Sequence, residues 1–378
     1  MQKKKIVHIA ESFGGGVFSY IQDLVNGLDD DYETAILYGK RSETPSKVQT
    51  HFRQSVKCIE IPAFNRGFNP FKILQAIHQI KKQIKKLNPD IVYLHSSMAG
   101  GVGRLALIFD RKVKIIYNAH GRYFAAYDGL KADIYAFLER ILALWTTKII
   151  NISVAEHQSA IDRKITPASK MILIENCIDF DKFAYNPDKS ASIRAKYGIT
   201  DDEILIGMSA RLDQQKNPLM LARAAKRVID QGFNVKIMYI GDGTLQKEVL
   251  DYAQTNSISS NIIITGRVNN VSDYASALDI AVLTSRYEGF GLVLLEYIAC
   301  SKPVIATKVG GIPTIIADSD TTFLIDNDDD EALADKIIFC LKNIDKINKN
   351  SEKTLSIYKS RYDLPVMLAK YRQLFNSF

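Results

Sequence analysis

Apolar residues fall into two series of short runs, each interleaved with longer stretches of helical spacing. In the first half, residues 5–10, 35–38, 58–61, 91–95, 114–118 and 149–153 are runs of four to six residues rich in β-branched side chains. Runs this short and this continuous predict strands buried on both faces. Between them, 18–28 and 71–87 carry a helical period. The pattern restarts after a polar stretch at 186–203, with strands expected at 204–209, 235–240, 262–265, 280–284, 303–307 and 322–325. Helices at 218–231, 245–255, 291–299 and 331–341 separate them. Such alternation gives parallel sheets covered by helices on both faces. Two series predict an α/β protein of two doubly wound, Rossmann-like domains facing across a cleft. The expected division is 1–185 and 186–355, with 356–378 a terminal helix packing back on the first domain.

Length agrees with this count, since 378 residues at about 150 per domain gives two to two and a half. A hydrophobic fraction of 47% with 24% charge excludes disordered and fibrous classes. No apolar run reaches the roughly 18 residues of a membrane span, and the best stretch, 291–300, carries Glu296 in its middle. The segment after Met-Gln-Lys-Lys-Lys contains His8 and runs into a glycine loop, which reads as a first strand rather than a signal peptide. A cytoplasmic protein is therefore expected. Cys58, Cys177, Cys300 and Cys340 form no C-x-x-C pair, so reduced thiols are expected in place of a disulfide or zinc framework.

The net charge of +7 is uneven: residues 1–178 hold 25 Lys and Arg against 16 Asp and Glu (+9), and the remainder 24 against 26 (−2). The first half should face something anionic: a lipid surface, a phosphorylated acceptor or nucleic acid. Nucleic acid is disfavoured, because no aromatic–basic motif accompanies the charge. In 71–87, Ile73, Ile77, Ile80, Ile84 and Leu87 form one apolar stripe, while Lys72, Lys81, Lys82, Lys85 and Lys86 lie elsewhere. This predicts a helix packed on the sheet whose basic face can meet an anionic membrane, at about 1 kcal/mol per lysine.

Doubly wound sheets bind ligands beyond the carboxyl ends of their strands. Glu11-Ser12-Phe13-Gly14-Gly15-Gly16 follows the first strand and leads into a helix, where bare amides favour an anion. It is not the dinucleotide fingerprint, since position 19 is serine. His120 follows the fifth strand beside Gly121 and is placed to project into the cleft. Arg211 and Lys216, in a loop ahead of Pro218, put two cations near a helix N-terminus, which suits a diphosphate. Gly241 and the run Gly266-Arg267-Val268 end two further strands. In Ser285-Arg286-Tyr287-Glu288-Gly289-Phe290-Gly291-Leu292, Glu288 sits in a loop and Glu296 in the helix that follows. A glutamate set among Leu, Tyr, Ile and Ala needs donors such as sugar hydroxyls, or an ion pair. Amides of Phe290, Gly291 and Leu292 are free to meet phosphate. The acids at 29–31 and 326–331 read as an exposed turn and a helix cap, not as a metal site.

Glu288-Gly289-Phe290-Gly291-Leu292-Val293-Leu294-Leu295-Glu296, with Lys302-Pro303-Val304 and Gly310-Gly311 after it, resembles the E-x7-E segment of retaining GT-B glycosyltransferases of family 4. The segment from Ser209 to Lys216 resembles that family's diphosphate-binding loop, and the glycines at 14–16, 241, 243 and 266 match in order; Cys177 stands where glycine is usual. The resemblance implies that Arg211 and Lys216 hold the donor pyrophosphate, Glu296 accepts from ribose, and Glu288 accepts from the transferred sugar. It also implies that His120 contacts that sugar, Arg267 and Val268 flank the base, and Gly15 and Gly16 admit acceptor and phosphates. No metal and no cofactor is implied. The expected activity is transfer from a nucleotide sugar, with UDP favoured, to a lipid-diphosphate-linked or other saccharide acceptor in capsule or other surface polysaccharide synthesis, peripheral to the inner membrane face. The alternatives are a UDP-sugar 2-epimerase and a GDP-sugar-dependent mannosyltransferase on the same scaffold.

Overall fold

A computed structural model describes residues 3–28, 32–41, 43–64, 69–121, 129–317 and 319–378. The acids at 29–31 and most of the loop from Arg122 onward lie outside that set. The chain divides into two compact units, Met1–Asn176 with Leu364–Phe378, and Cys177–Asp363.

In the first unit the order is β1 (Lys4–Ala10), α1 (Gly15–Gly27), β2 (Tyr32–Tyr38), β3 (Lys57–Glu60), α2 (Pro70–Leu87), β4 (Ile91–His95), α3 (Ser97–Ala106), β5 (Lys114–Asn118), α4 (Leu130–Ala143), β6 (Lys148–Asn151), α5 (Val154–Asp162) and β7 (Met171–Leu173). Among the described residues the strands form one parallel sheet in the order β3-β2-β1-β4-β5-β6-β7. The order reverses between β1 and β4, so the loops after those two strands open on the switch point. Helices α2, α3 and α4 cover one face through Ala76, Ile80, Ile84, Ala99, Val102, Ala106, Ala132 and Ala136. α3 was not legible in sequence because three of its ten residues are glycine. Two of these are required by packing: a Cβ on Gly100 would sit 2.3 Å from the Tyr117 ring, and one on Gly103 2.4 Å from Leu94.

The second unit runs α6 (Pro187–Lys196), β8 (Ile204–Ser209), α7 (Pro218–Asp230), β9 (Val235–Ile240), α8 (Gln246–Thr255), β10 (Ile262–Ile264), α9 (Val271–Ala277), β11 (Ile280–Leu283), α10 (Leu292–Ala299), β12 (Val304–Thr307), α11 (Ile312–Ile315), β13 (Thr322–Ile325), α12 (Asp330–Lys342) and α13 (Ile344–Tyr362). Its parallel sheet has the order β10-β9-β8-β11-β12-β13, with the switch point between β8 and β11. The core is the sheet with α7 and α12, including Met220, Leu221, Val228, Leu333 and Ile337, all fully buried.

Domain limits differ from those expected. The polar stretch at 186–203 lies in the second unit and contains α6: Asn186 caps it, its side chain accepting from Lys189 N at 3.0 Å, and Arg194 pairs with Asp279 at 3.0 Å. The border between units lies nine residues earlier, at Asn176/Cys177, where Ile178 N donates to Tyr362 O at 3.1 Å and Phe180 N to Asp363 Oδ1 at 3.2 Å. At the other end the expected helix 356–378 is two helices, because Asp363 is extended (φ −74°, ψ 146°) and ends α13. Only α14 (Leu364–Asn376) belongs to the first unit. It packs on α1, and the Tyr371 hydroxyl meets those of Tyr20 and, at 2.7 Å, Tyr93. The ammonium of Lys4 reaches the carbonyls of Phe375 at 3.0 Å and Phe378 at 2.8 Å, where the helix leaves its acceptors unsatisfied.

Candidate functional site

In the second unit three loops meet beyond the sheet. The loop after β8 carries Arg211 and Lys216, that after β11 carries Glu288, and that after β12 carries Gly310 and Gly311. The first two are laced together by hydrogen bonds to backbone carbonyls: Arg286 N donates to Gln215 O at 2.7 Å, and the buried Thr284 hydroxyl to Lys216 O and Asn217 O at 2.9 and 3.0 Å. Asn217 takes the left-handed conformation (φ 48°) ahead of Pro218, and its amide donates to Asp328 Oδ1 at 2.7 Å. Asp328 in turn pairs with Arg286 at 2.9 Å, and that guanidinium holds its carboxyl below the ordinary range.

This lacing brings Lys216 and Glu288, 72 residues apart, into an ion pair between ammonium and Oε1. The side chains keep only 17% and 8% exposure, so each is the other's main compensation for lost water. The third loop holds Glu288 from behind. Gly311 N donates to Glu288 O at 3.0 Å, and a Cβ on Gly310 would stand 2.0 Å from that oxygen.

Arg211 lies on the same loop as Lys216, 62% exposed, and pairs with Asp213 at 3.2 Å. Glu296 is half-buried on α10, a little over one turn from the helix start and eight residues on from Glu288 in the preceding loop. Gly291 (φ 88°) precedes α10 with no side-chain cap, which leaves amides at Leu292 and its neighbour open to an anion. Phe290 is buried against Tyr362. Gly241 bridges to Gly266, and a Cβ on Gly241 would lie 2.2 Å from Ala210 O. Arg267 is exposed and pairs with Asp242 at 3.0 Å, and Val268 beside it is half-buried. Among the described residues no cluster of three His, Cys, Asp or Glu could hold a metal ion.

In the first unit, Gly15 and Gly16 begin α1, and a Cβ on either would meet nothing within 4 Å, so open space lies beside both. Glu11 beneath them is buried and paired with Arg41. His120 (φ 51°) follows β5 and ends a row of three histidines. His8 Nδ1 lies 3.0 Å from His95 Nε2, and His95 Nδ1 lies 3.0 Å from His120 Nε2. The rings are nearly coplanar, at 18° and 19°, with centroids 5.2 and 5.3 Å apart, so they meet edge to edge. Burial holds His8 and His120 down to about 3 and His95 well below its ordinary value, so all three are neutral. A neutral imidazole has one donor and one acceptor nitrogen. The three tautomers are therefore coupled, all donating toward His120 or all away from it, and His120 Nδ1 ends the row. His8 and His95 escaped the sequence reading, as did Asp328 and Arg286; each acts through a partner distant in the chain.

Residues 189–355 match the family model for glycosyl transferases group 1, and residues 14–182 that for glycosyltransferase family 4. The chain is 26% identical to the Escherichia coli UDP-Gal:alpha-D-GlcNAc-diphosphoundecaprenol alpha-1,3-galactosyltransferase over 75% of its length and 74% of the relative's. It is also 26% identical to the Staphylococcus aureus capsular polysaccharide biosynthesis glycosyltransferase CapM, over 71% of each chain. The fold matches that of Anabaena HepE, solved with UDP and glucose, at a TM-score of 0.86 and 19% identity over 99% of this chain and 100% of that one. Between them the two family models take in nearly the whole of both units: the chain belongs to glycosyltransferase family 4 and is a glycosyltransferase of GT-B fold.

Proposed function

We propose that the protein is a retaining glycosyltransferase that moves a sugar from a UDP-sugar to a lipid-diphosphate-linked saccharide in surface polysaccharide synthesis, at the inner membrane face. The observation that carries this reading is the Lys216–Glu288 pair at the second unit's switch point, with Arg211 on the same loop and uncapped α10 amides beside it. The relatives' printed activities supply the classes: a UDP-sugar donor and diphosphoundecaprenol-linked acceptor for one, capsule synthesis for another, and UDP bound in HepE.

In this reading Lys216, with three donors, keeps Glu288 while also taking a phosphate oxygen. Arg211 leaves Asp213 to close on the same diphosphate. Their charge matters most as the diphosphate departs and gains charge, which is stabilisation specific to the transition state. Glu288 accepts from hydroxyls of the transferred sugar, Glu296 from ribose, and Arg267 and Val268 flank the base near Gly241. His120 meets the sugar through Nδ1, and Gly15 and Gly16 admit the acceptor. The leaving oxygen takes the acceptor's proton as the new bond forms on the same face. No metal is needed where two side-chain cations occupy that role.

Lys216→Ala and Glu288→Ala should each lower kcat by about 10²–10³. Either single change strands the other charge, so the control is the Lys216→Met/Glu288→Gln pair, expected to unfold like wild type and remain inactive. Normal turnover in that pair would refute the reading. A screen of UDP- and GDP-sugars for thermal stabilisation identifies the donor, and incubation with the UDP-sugar alone should yield no epimer.

A further inference from the structure

The helix α4 is built inside out. Ala132, Ala136 and Ala143 face the sheet, while Leu130, Ile134, Phe137, Leu138, Ile141 and Leu144 are turned to solvent. Their spacing, four, seven, eight, eleven and fourteen residues on from Leu130, is one face of a helix. Leu130 is 76% exposed, Phe137 57% and Leu144 71%. A helix that needed only to cover the sheet would place its large side chains inward.

Neighbouring helices extend this face. α2, α3 and α4 pack side by side on the same side of the sheet, so their outer surfaces share one layer. Just beyond α3, Phe109 is 86% exposed, and the first turn of α2 presents Phe71 and Leu74 at 79% and 63%. The rest of the outer side of α2 carries Lys81, Lys82, Lys85 and Lys86, all exposed, and α2 contains no acidic residue. At the far end of α4 a shallow groove of about 550 Å³ has an apolar floor of Leu144, Ile161 and Ile165 with Arg140, Lys164 and Lys170 on its rim.

We propose that this layer is a membrane-docking surface, with α4 lying along an anionic bilayer. Its six large apolar side chains enter the acyl boundary while the α2 lysines and the groove cations meet lipid phosphates. Charge decides between this and a second copy of the chain. Two such faces pressed together would bring cationic rims toward each other, whereas an anionic bilayer neutralises them. The inference extends the proposed reaction by naming its surface, but binding is measured without donor or acceptor, so either can fail alone.

Trp145, the only tryptophan in the chain, lies just past α4 at 36% exposure and reports on the contact. The full chain is mixed with vesicles of phosphatidylcholine alone or with 30% phosphatidylglycerol, and sedimentation and Trp145 emission are followed. The anionic vesicles should bind at least tenfold more tightly and shift the emission to the blue. Ile134→Ser/Phe137→Ser should weaken binding at least tenfold with unchanged melting and unchanged transfer to a water-soluble acceptor. Lys81, Lys82, Lys85 and Lys86→Gln together should abolish the preference for phosphatidylglycerol. No binding to anionic vesicles, unmoved Trp145 emission, or wild-type binding by the serine variant would overturn the proposal. So would a dimer in sedimentation that the serine variant abolishes, since the face would then belong to a second copy.

Discussion

The row His8–His95–His120 makes acid stability a property of single residues. In the unfolded chain each histidine takes up a proton below about 6.5, whereas the folded His8 and His120 stay neutral to about 3. Between those values unfolding takes up protons, so stability falls as pH falls, by about 1.4 kcal/mol per pH unit for each histidine. Chemical denaturation at pH 6.5 and 5.5, where carboxylates are still ionised, should show about 1 kcal/mol of loss per histidine, because the unfolded imidazole is only half protonated at the upper value. His8→Gln should remove about one proton from the uptake. Sequence picked out His120 because it follows a strand and precedes glycine. His8 and His95 lie inside strands and read as core, and a 3.0 Å contact across 87 residues leaves no local trace. Lys216 and Glu288 were both singled out, but their pairing was not, for the same reason.

Among the elements, strand-to-loop junctions were the most legible, since β-branched runs and glycines mark them in any buried parallel sheet. Some of those glycines are now seen to be demanded by neighbouring backbone. Gly310 (φ 51°) stands against the carbonyl of Glu288, so Gly310→Ala must push the Glu288 loop away. The expected cost is about 1–3 kcal/mol in the second unit, with kcat reduced more than donor binding; a melting curve and initial rates at saturating donor check both. Less legible were helices whose composition argues against them or whose amphipathicity is reversed. α3 carries glycines to approach β4 and β5, and α4 turns alanines inward, so neither shows an inward apolar stripe to a reader of sequence. Cys177, where glycine is usual in the family, is buried and its backbone stays out of the left-handed region, so the turn does not need glycine here.

At the scale of the molecule, two doubly wound sheets followed from alternation alone, but the borders between units did not. The polar stretch with Pro187 and a capping Asn186 forms α6, packed on α9, and marks no border; the chain passes between units at Asn176/Cys177. Asp363, not a change of composition, separates α13 from α14. Because α14 carries Tyr371 and Phe375 into the core of the first unit, deleting residues 364–378 should lower that unit's melting temperature and leave the second unit's transition in place, as two-transition calorimetry would resolve.

The placement of α14 also orders events during translation. The second unit is one continuous stretch and can fold from residues already made when residue 363 is added. The first unit has its whole sheet synthesised by residue 173 yet waits for a helix made some 190 residues later, holding Tyr20 and Tyr93 uncovered in the interval. A released chain ending at residue 363 should therefore be protease-resistant in its later half and sensitive in its earlier one, the reverse of the order in which the halves are made.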